Sequence, residues 1–74
     1  MTRLIEALQA LGLEGEVTLS GRWLKLQGGR CSVYVAEAAW EAGYYTWCDD
    51  REEQVVEHYL DPTEAIQASL KRAA

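Results

Sequence analysis

Residues 30–36, Arg30-Cys31-Ser32-Val33-Tyr34-Val35-Ala36, alternate along the chain. Cys31, Val33 and Val35 point to one side, and Arg30, Ser32 and Tyr34 to the other. The stretch is rich in β-formers and follows Gly28-Gly29, a hairpin signal. It reads as the central strand of one antiparallel sheet, around which the rest of the chain is arranged.

Upstream, a two-residue turn at Gly28-Gly29 would pair Gln27 with Arg30, Leu26 with Cys31, Leu24 with Val33, and Trp23 with Tyr34. Residues 22–27 then form a strand with Leu24 and Leu26 on one face and Trp23 and Lys25 on the other. Residues 16–20 form another, carrying Val17 and Leu19. A tight hairpin at Ser20-Gly21 brings all four aliphatic residues to one face, whereas one long strand would split them. Downstream, a small-residue connection over 36–42 contains Trp40. A fourth strand spans 43–48, a polar turn 49–53 and a fifth strand 54–60.

Both ends read as helices. In residues 2–12, Leu4, Ile5, Leu8 and Leu11 make one apolar stripe, with Thr2 as N-cap, Gly12 just past the end and Leu13 as its apolar contact. The clearest local signal is Asp61-Pro62-Thr63-Glu64, which sets a capping acid before a first-turn proline and an acid three residues on. Ile66, Leu70 and Ala73 follow at helical spacing, and Lys71 and Arg72 suit the C-terminal end of the dipole. The expected fold class is therefore α+β: an antiparallel β-meander of four to five strands in the order α-β-β-β-β-β-α, with both helices on one face. Residues 1–74 make a single domain on this reading.

Turn geometry then predicts the registers. Cys31 is expected opposite Cys48, Val33 opposite Thr46 and Val35 opposite Tyr44, with Thr46 opposite Val56 and Tyr44 opposite His58. One face would hold Val17, Leu19, Leu24, Leu26, Cys31, Val33, Val35, Thr46, Cys48, Val56 and Leu60 beneath the helices. The other would hold Trp23, Lys25, Ser32, Tyr34, Tyr45, Trp47, Val55, Glu57 and Tyr59. A one-residue slip in the last strand would merely exchange Val55 with Val56, so that register is the weakest.

Composition narrows the function. The 74 residues are 49% hydrophobic and 26% charged, an ordinary globular balance. A chain this short buries only about 60% of its unfolded surface, and self-association is a common remedy. The net charge of −5 and a pI near 4.7 disfavour direct binding to nucleic acid or to anionic membranes. No apolar run approaches the roughly 20 residues of a membrane span. Glu6 interrupts the early apolar run, so no signal peptide is expected and the location reads as cytoplasmic.

Catalytic chemistry finds little support. His58 is the sole histidine. The expected register puts it four rows from Cys48, roughly 13 Å at about 3.3 Å per residue, too far for a nucleophilic pair. Ser20 and Ser32 have no base nearby, and no glycine-rich phosphate loop opens a helix. The two cysteines are too few for a disulfide scaffold or a closed zinc site. They read as small buried hydrophobes, with a redox role as the competing reading. Asp49-Asp50-Arg51-Glu52-Glu53 lacks the spacing of a calcium loop and reads as a solvated turn.

No enzyme, cofactor or metal is expected. The favoured reading is a non-enzymatic interaction module, self-associating as a homodimer or binding a protein partner through Trp23, Tyr34, Tyr45, Trp47 and Tyr59. The alternative is an acidic regulator, antitoxin-like or nuclease-inhibitor-like, that meets a basic protein through Asp49, Asp50, Glu52, Glu53 and Glu57.

Overall fold

The capping acid behaves as its sequence context requires. In the computed structural model, which describes residues 2–18, 21–49 and 55–74, Asp61 stands in extended conformation. Its carboxylate accepts from the Glu64 backbone N–H at 3.0 Å, and Pro62 opens the helix α2, Pro62–Arg72. Asp61→Ala is expected to cost about 0.5–2 kcal/mol. An unchanged urea midpoint in that variant would mean that this cap bond adds nothing.

The first helix, α1, spans Thr2–Ala10. Thr2 lies inside it rather than capping it. Its C-terminal end closes as expected: Gly12 donates to Gln9 O at 3.0 Å and Leu13 to Leu8 O at 3.1 Å, the paired bonds of a Schellman cap. Between the helices run β1 (Glu16–Thr18), β2 (Trp23–Gln27), β3 (Ser32–Glu37), β4 (Tyr44–Cys48) and β5 (Glu57–Tyr59). They form one antiparallel sheet in the order β1-β2-β3-β4-β5. The fold is α+β with the element order α-β-β-β-β-β-α.

The core lies between the helices and one sheet face. Leu4, Ala7 and Leu8 of α1 and Ala65 and Ile66 of α2 meet Leu24, Leu26, Val33, Val35, Tyr44 and Cys48 of the strands. Ser69, buried among them, donates its hydroxyl to Ile66 O at 2.8 Å.

Three registers differ from expectation. Leu26 lies opposite Val33 and Leu24 opposite Val35, two residues along from the expected pairs. The connection is thus the four-residue segment 28–31, not a two-residue turn. Gly28 N–H donates to Cys31 O at 3.0 Å, while Arg30 N–H is taken by Ala73 O and its guanidinium by Arg72 O. A Cβ on Gly28 would collide with that of Ala73. The turn is therefore shaped by its docking on the end of α2, which no local signal reports. Likewise Cys48 pairs with Val33, and Thr46 with Val35, so Cys31 and Cys48 are not directly opposite. Shifts of two leave every side chain on its expected face.

The third shift is by one residue and changes faces. Tyr59 lies opposite Tyr44, His58 opposite Tyr45 and Glu57 opposite Thr46. Tyr59 and Glu57 therefore turn toward the helices and His58 turns away. The strand is also shorter than the expected 54–60. Val56 and Leu60, expected in the core, are 59% and 73% exposed, and Val55 is exposed as well. The physical reason is long-range. Glu57 meets Arg72 of α2 at 3.2 Å, and Tyr59 packs against the core. Val17 keeps its face, opposite Leu24, but at the sheet edge it remains exposed; Leu19 lies outside the described residues.

Candidate interaction face

With α1 and α2 on one side, alternation presents a second set of side chains on the uncovered side. Trp23, Tyr34 and Trp47 meet there from three adjacent strands. Tyr34 and Trp47 face each other in the register and stack, with centroids 5.5 Å apart and an interplanar angle of 13°. Trp23 sets its ring edge-on to both, at 5.8 Å from Tyr34 and 5.2 Å from Trp47. Such pairs contribute about 0.5–1.5 kcal/mol each beyond the area they cover. The three rings are half-buried, largely by one another. Ala36 lies opposite both Trp23 and Tyr45. With Arg22, Trp23, Glu37 and Ala39 it borders an open groove of about 510 Å³.

Tyr45 and His58 extend the face toward the last strand, with ring centroids 5.1 Å apart. His58 Nε2 lies 2.9 Å from Ala42 O. A carbonyl only accepts, so Nε2 carries the proton of that bond. The Tyr45 hydroxyl donates to Glu41, whose carboxylate is 3.8 Å from His58 Nε2. That hydrogen bond, together with burial and the Glu41 charge, raises the Tyr45 pKa above the ordinary tyrosine value. The loop holding Glu41 also carries Trp40, 98% exposed at its tip. An aromatic residue among alanines carries no periodic signal, so alternation assigns Trp40 to neither face.

Of the five aromatic residues expected on this face, Trp23, Tyr34, Tyr45 and Trp47 are there. Tyr59 is not: it lies on the helix side, where its hydroxyl donates to Glu57. That bond is the chief cause of its raised pKa, followed by burial and the Glu57 charge. His58, expected opposite Tyr44 on the helix side, lies on the outer face in the position expected of Tyr59.

The acidic alternative comes together less well. Asp49 is exposed just beyond β4, and Glu57 is committed to Arg72 and Tyr59. Asp50, Glu52 and Glu53 lie outside the described residues. Cys48 and His58 occupy opposite faces, which excludes a nucleophilic pair between them. Among the described residues, no three or more His, Cys, Asp or Glu side chains group so as to hold a metal ion. No helix among them is long and apolar enough to cross a membrane.

The fold and this face define the class: a small α+β protein whose meander is covered by helices on one side and by aromatic rings on the other. Compared with known proteins, the chain matches no family model, no curated protein and no solved structure.

Proposed function

We propose that this protein is a non-enzymatic interaction module that pairs with a second copy of itself through the outer aromatic face. The observation that carries the reading is the mutual packing of Trp23, Tyr34 and Trp47 on the side that neither helix covers. Aromatic residues are enriched where protein surfaces meet, and twofold pairing is the commonest assembly. A standard interface removes about 800 Å² per partner from water. A ring that size buries about 150–250 Å² in full. The half-covered rings thus supply the apolar centre, and the surrounding Lys25 and Ser32 a polar rim. Edge-to-edge pairing is a poorer use of this sheet, because both edge strands, β1 and β5, are only three residues long.

The net charge of −5 argues against nucleic-acid stacking on the same rings, since phosphate contacts dominate that affinity. A cytoplasmic location, as expected from the sequence, accompanies this reading.

Sedimentation and light scattering of the pure protein test the pairing. The wild type is expected to associate at micromolar concentration with little sensitivity to salt. Trp47→Glu combined with Tyr45→Ser is expected to be monomeric with an unchanged far-UV CD spectrum. A wild type that stays monomeric at high micromolar concentration overturns self-association. Salt-sensitive capture of a basic protein would favour the acidic alternative instead.

A further inference from the structure

We propose that Cys31 and Cys48 form a reversible dithiol–disulfide site that reacts with low-molecular-weight disulfides by thiol–disulfide exchange. The two sulfurs are 3.4 Å apart, in contact but unbonded, with the Cys31 thiol directed at Cys48 Sγ. A disulfide needs about 2.05 Å, so closure requires an approach of little more than an ångström. Cys48 sits in the regular ladder at the end of β4, opposite Val33. Cys31 lies one residue before β3, in the segment 28–31, on the same sheet face. It is therefore placed diagonally to Cys48 and outside the rigid ladder, where a small backbone adjustment can bring the sulfurs together.

Exposure differs between the two in the way exchange requires. Cys31 is half-buried, whereas Cys48 is 8% exposed in the core. Cys31 is thus the sulfur an incoming disulfide reaches, and Cys48 the one that resolves. The Cys31 thiolate attacks one sulfur of RSSR, forming Cys31–S–SR and expelling RS⁻. The Cys48 thiolate then attacks Cys31 Sγ, forming the intramolecular bond and expelling the second RS⁻. The two protons lost by the cysteines end on the two released thiolates. The balance is protein dithiol plus RSSR to protein disulfide plus 2 RSH, and excess RSH reverses it.

The ring so closed contains all of β3 and β4 and fastens the open end of their hairpin. The segment carrying Cys31 is tied to α2 through the Arg30 bonds to Ala73 O and Arg72 O. Oxidation therefore couples the hairpin base to the end of that helix, on the face away from the aromatic rings. The site does not depend on the pairing proposed above.

The test exposes the folded 74-residue chain to oxidised glutathione in native buffer, followed by removal of the glutathione, iodoacetamide in urea and intact-mass measurement. The wild type is expected to lose about 2 Da, take up no iodoacetamide and form no covalent dimer, with dithiothreitol restoring two reactive thiols. Cys48→Ser is expected to stop at one glutathione on Cys31. Cys31→Ser is expected to acquire glutathione on Cys48 at least about tenfold more slowly, because access limits exchange. Should Cys48→Ser fail to fold, the wild-type mass and the half-exposed Cys31→Ser variant still decide. A native wild type that keeps both thiols alkylatable, accumulates two glutathiones or cross-links between chains overturns the proposal.

Discussion

Gly43→Ala is expected to lower stability by about 3 kcal/mol or more, measured as a large fall in the urea midpoint. Two effects add. Gly43 has φ +111°, well outside the narrow left-handed well open to other residues. A side chain there costs about 1–3 kcal/mol in backbone strain alone. The new Cβ would also stand 2.5 Å from His58 Nε2 and 2.6 Å from Tyr59 O. The imidazole can turn aside at the expense of its bond to Ala42, but the carbonyl belongs to β5, so the strand itself must retreat. A chain of 74 residues has a total stability of roughly 4–11 kcal/mol, so the loss is a large fraction of it. Gly21→Ala is the control. Its φ is +89°, yet nothing lies within 4 Å of a Cβ there, so only the strain of about 1–3 kcal/mol is expected. Equal midpoints for the two variants would mean that β5 does not press on Gly43.

The second large effect is in the core. Leu24→Ala should cost about 2–5 kcal/mol, through lost apolar burial and the cavity left behind. Leu24 is 1% exposed and lies among Leu8, Leu26 and Val35 in the continuous core. Leu60→Ala, by contrast, should change stability by no more than about 0.5 kcal/mol, since Leu60 is largely in water. The contrast tests the last register. With Tyr44 opposite His58, Leu60 would lie beneath the helices and both substitutions would be costly. A Leu60→Ala loss approaching that of Leu24→Ala would therefore restore the register read from the turn and overturn the one described.

The parts of this protein legible without coordinates are those encoded within a few consecutive residues. Asp61-Pro62-Thr63-Glu64 specifies a helix start because cap, proline and acid act within one turn. The alternation of 30–36 and of 22–27 separates aliphatic from aromatic residues because successive side chains in a strand point to opposite faces. This is why Trp23, Tyr34, Tyr45 and Trp47 could be assigned to one face in advance, and why the aliphatic core of Leu24, Leu26, Val33 and Val35 was recognisable. Periodicity has only two values of parity, however. Slides of two residues in the β2–β3 and β3–β4 pairs are invisible to it, and they moved Cys31 from a direct to a diagonal partner of Cys48.

In β5 the pattern was balanced, since Val55 and Val56 offer an apolar side chain to either face. What tipped it lies far away in sequence. Arg72 of α2 draws Glu57 to the helix side, and Gly43, lacking a Cβ, leaves room for His58 on the other side. The 28–31 segment was likewise shaped by Ala73 and Arg72, more than forty residues on. Faces and helix ends were thus written locally in the sequence. Registers, the exchange of Tyr59 for His58 and the meeting of the two sulfurs were settled by packing, because each depends on groups that only the folded chain brings within reach.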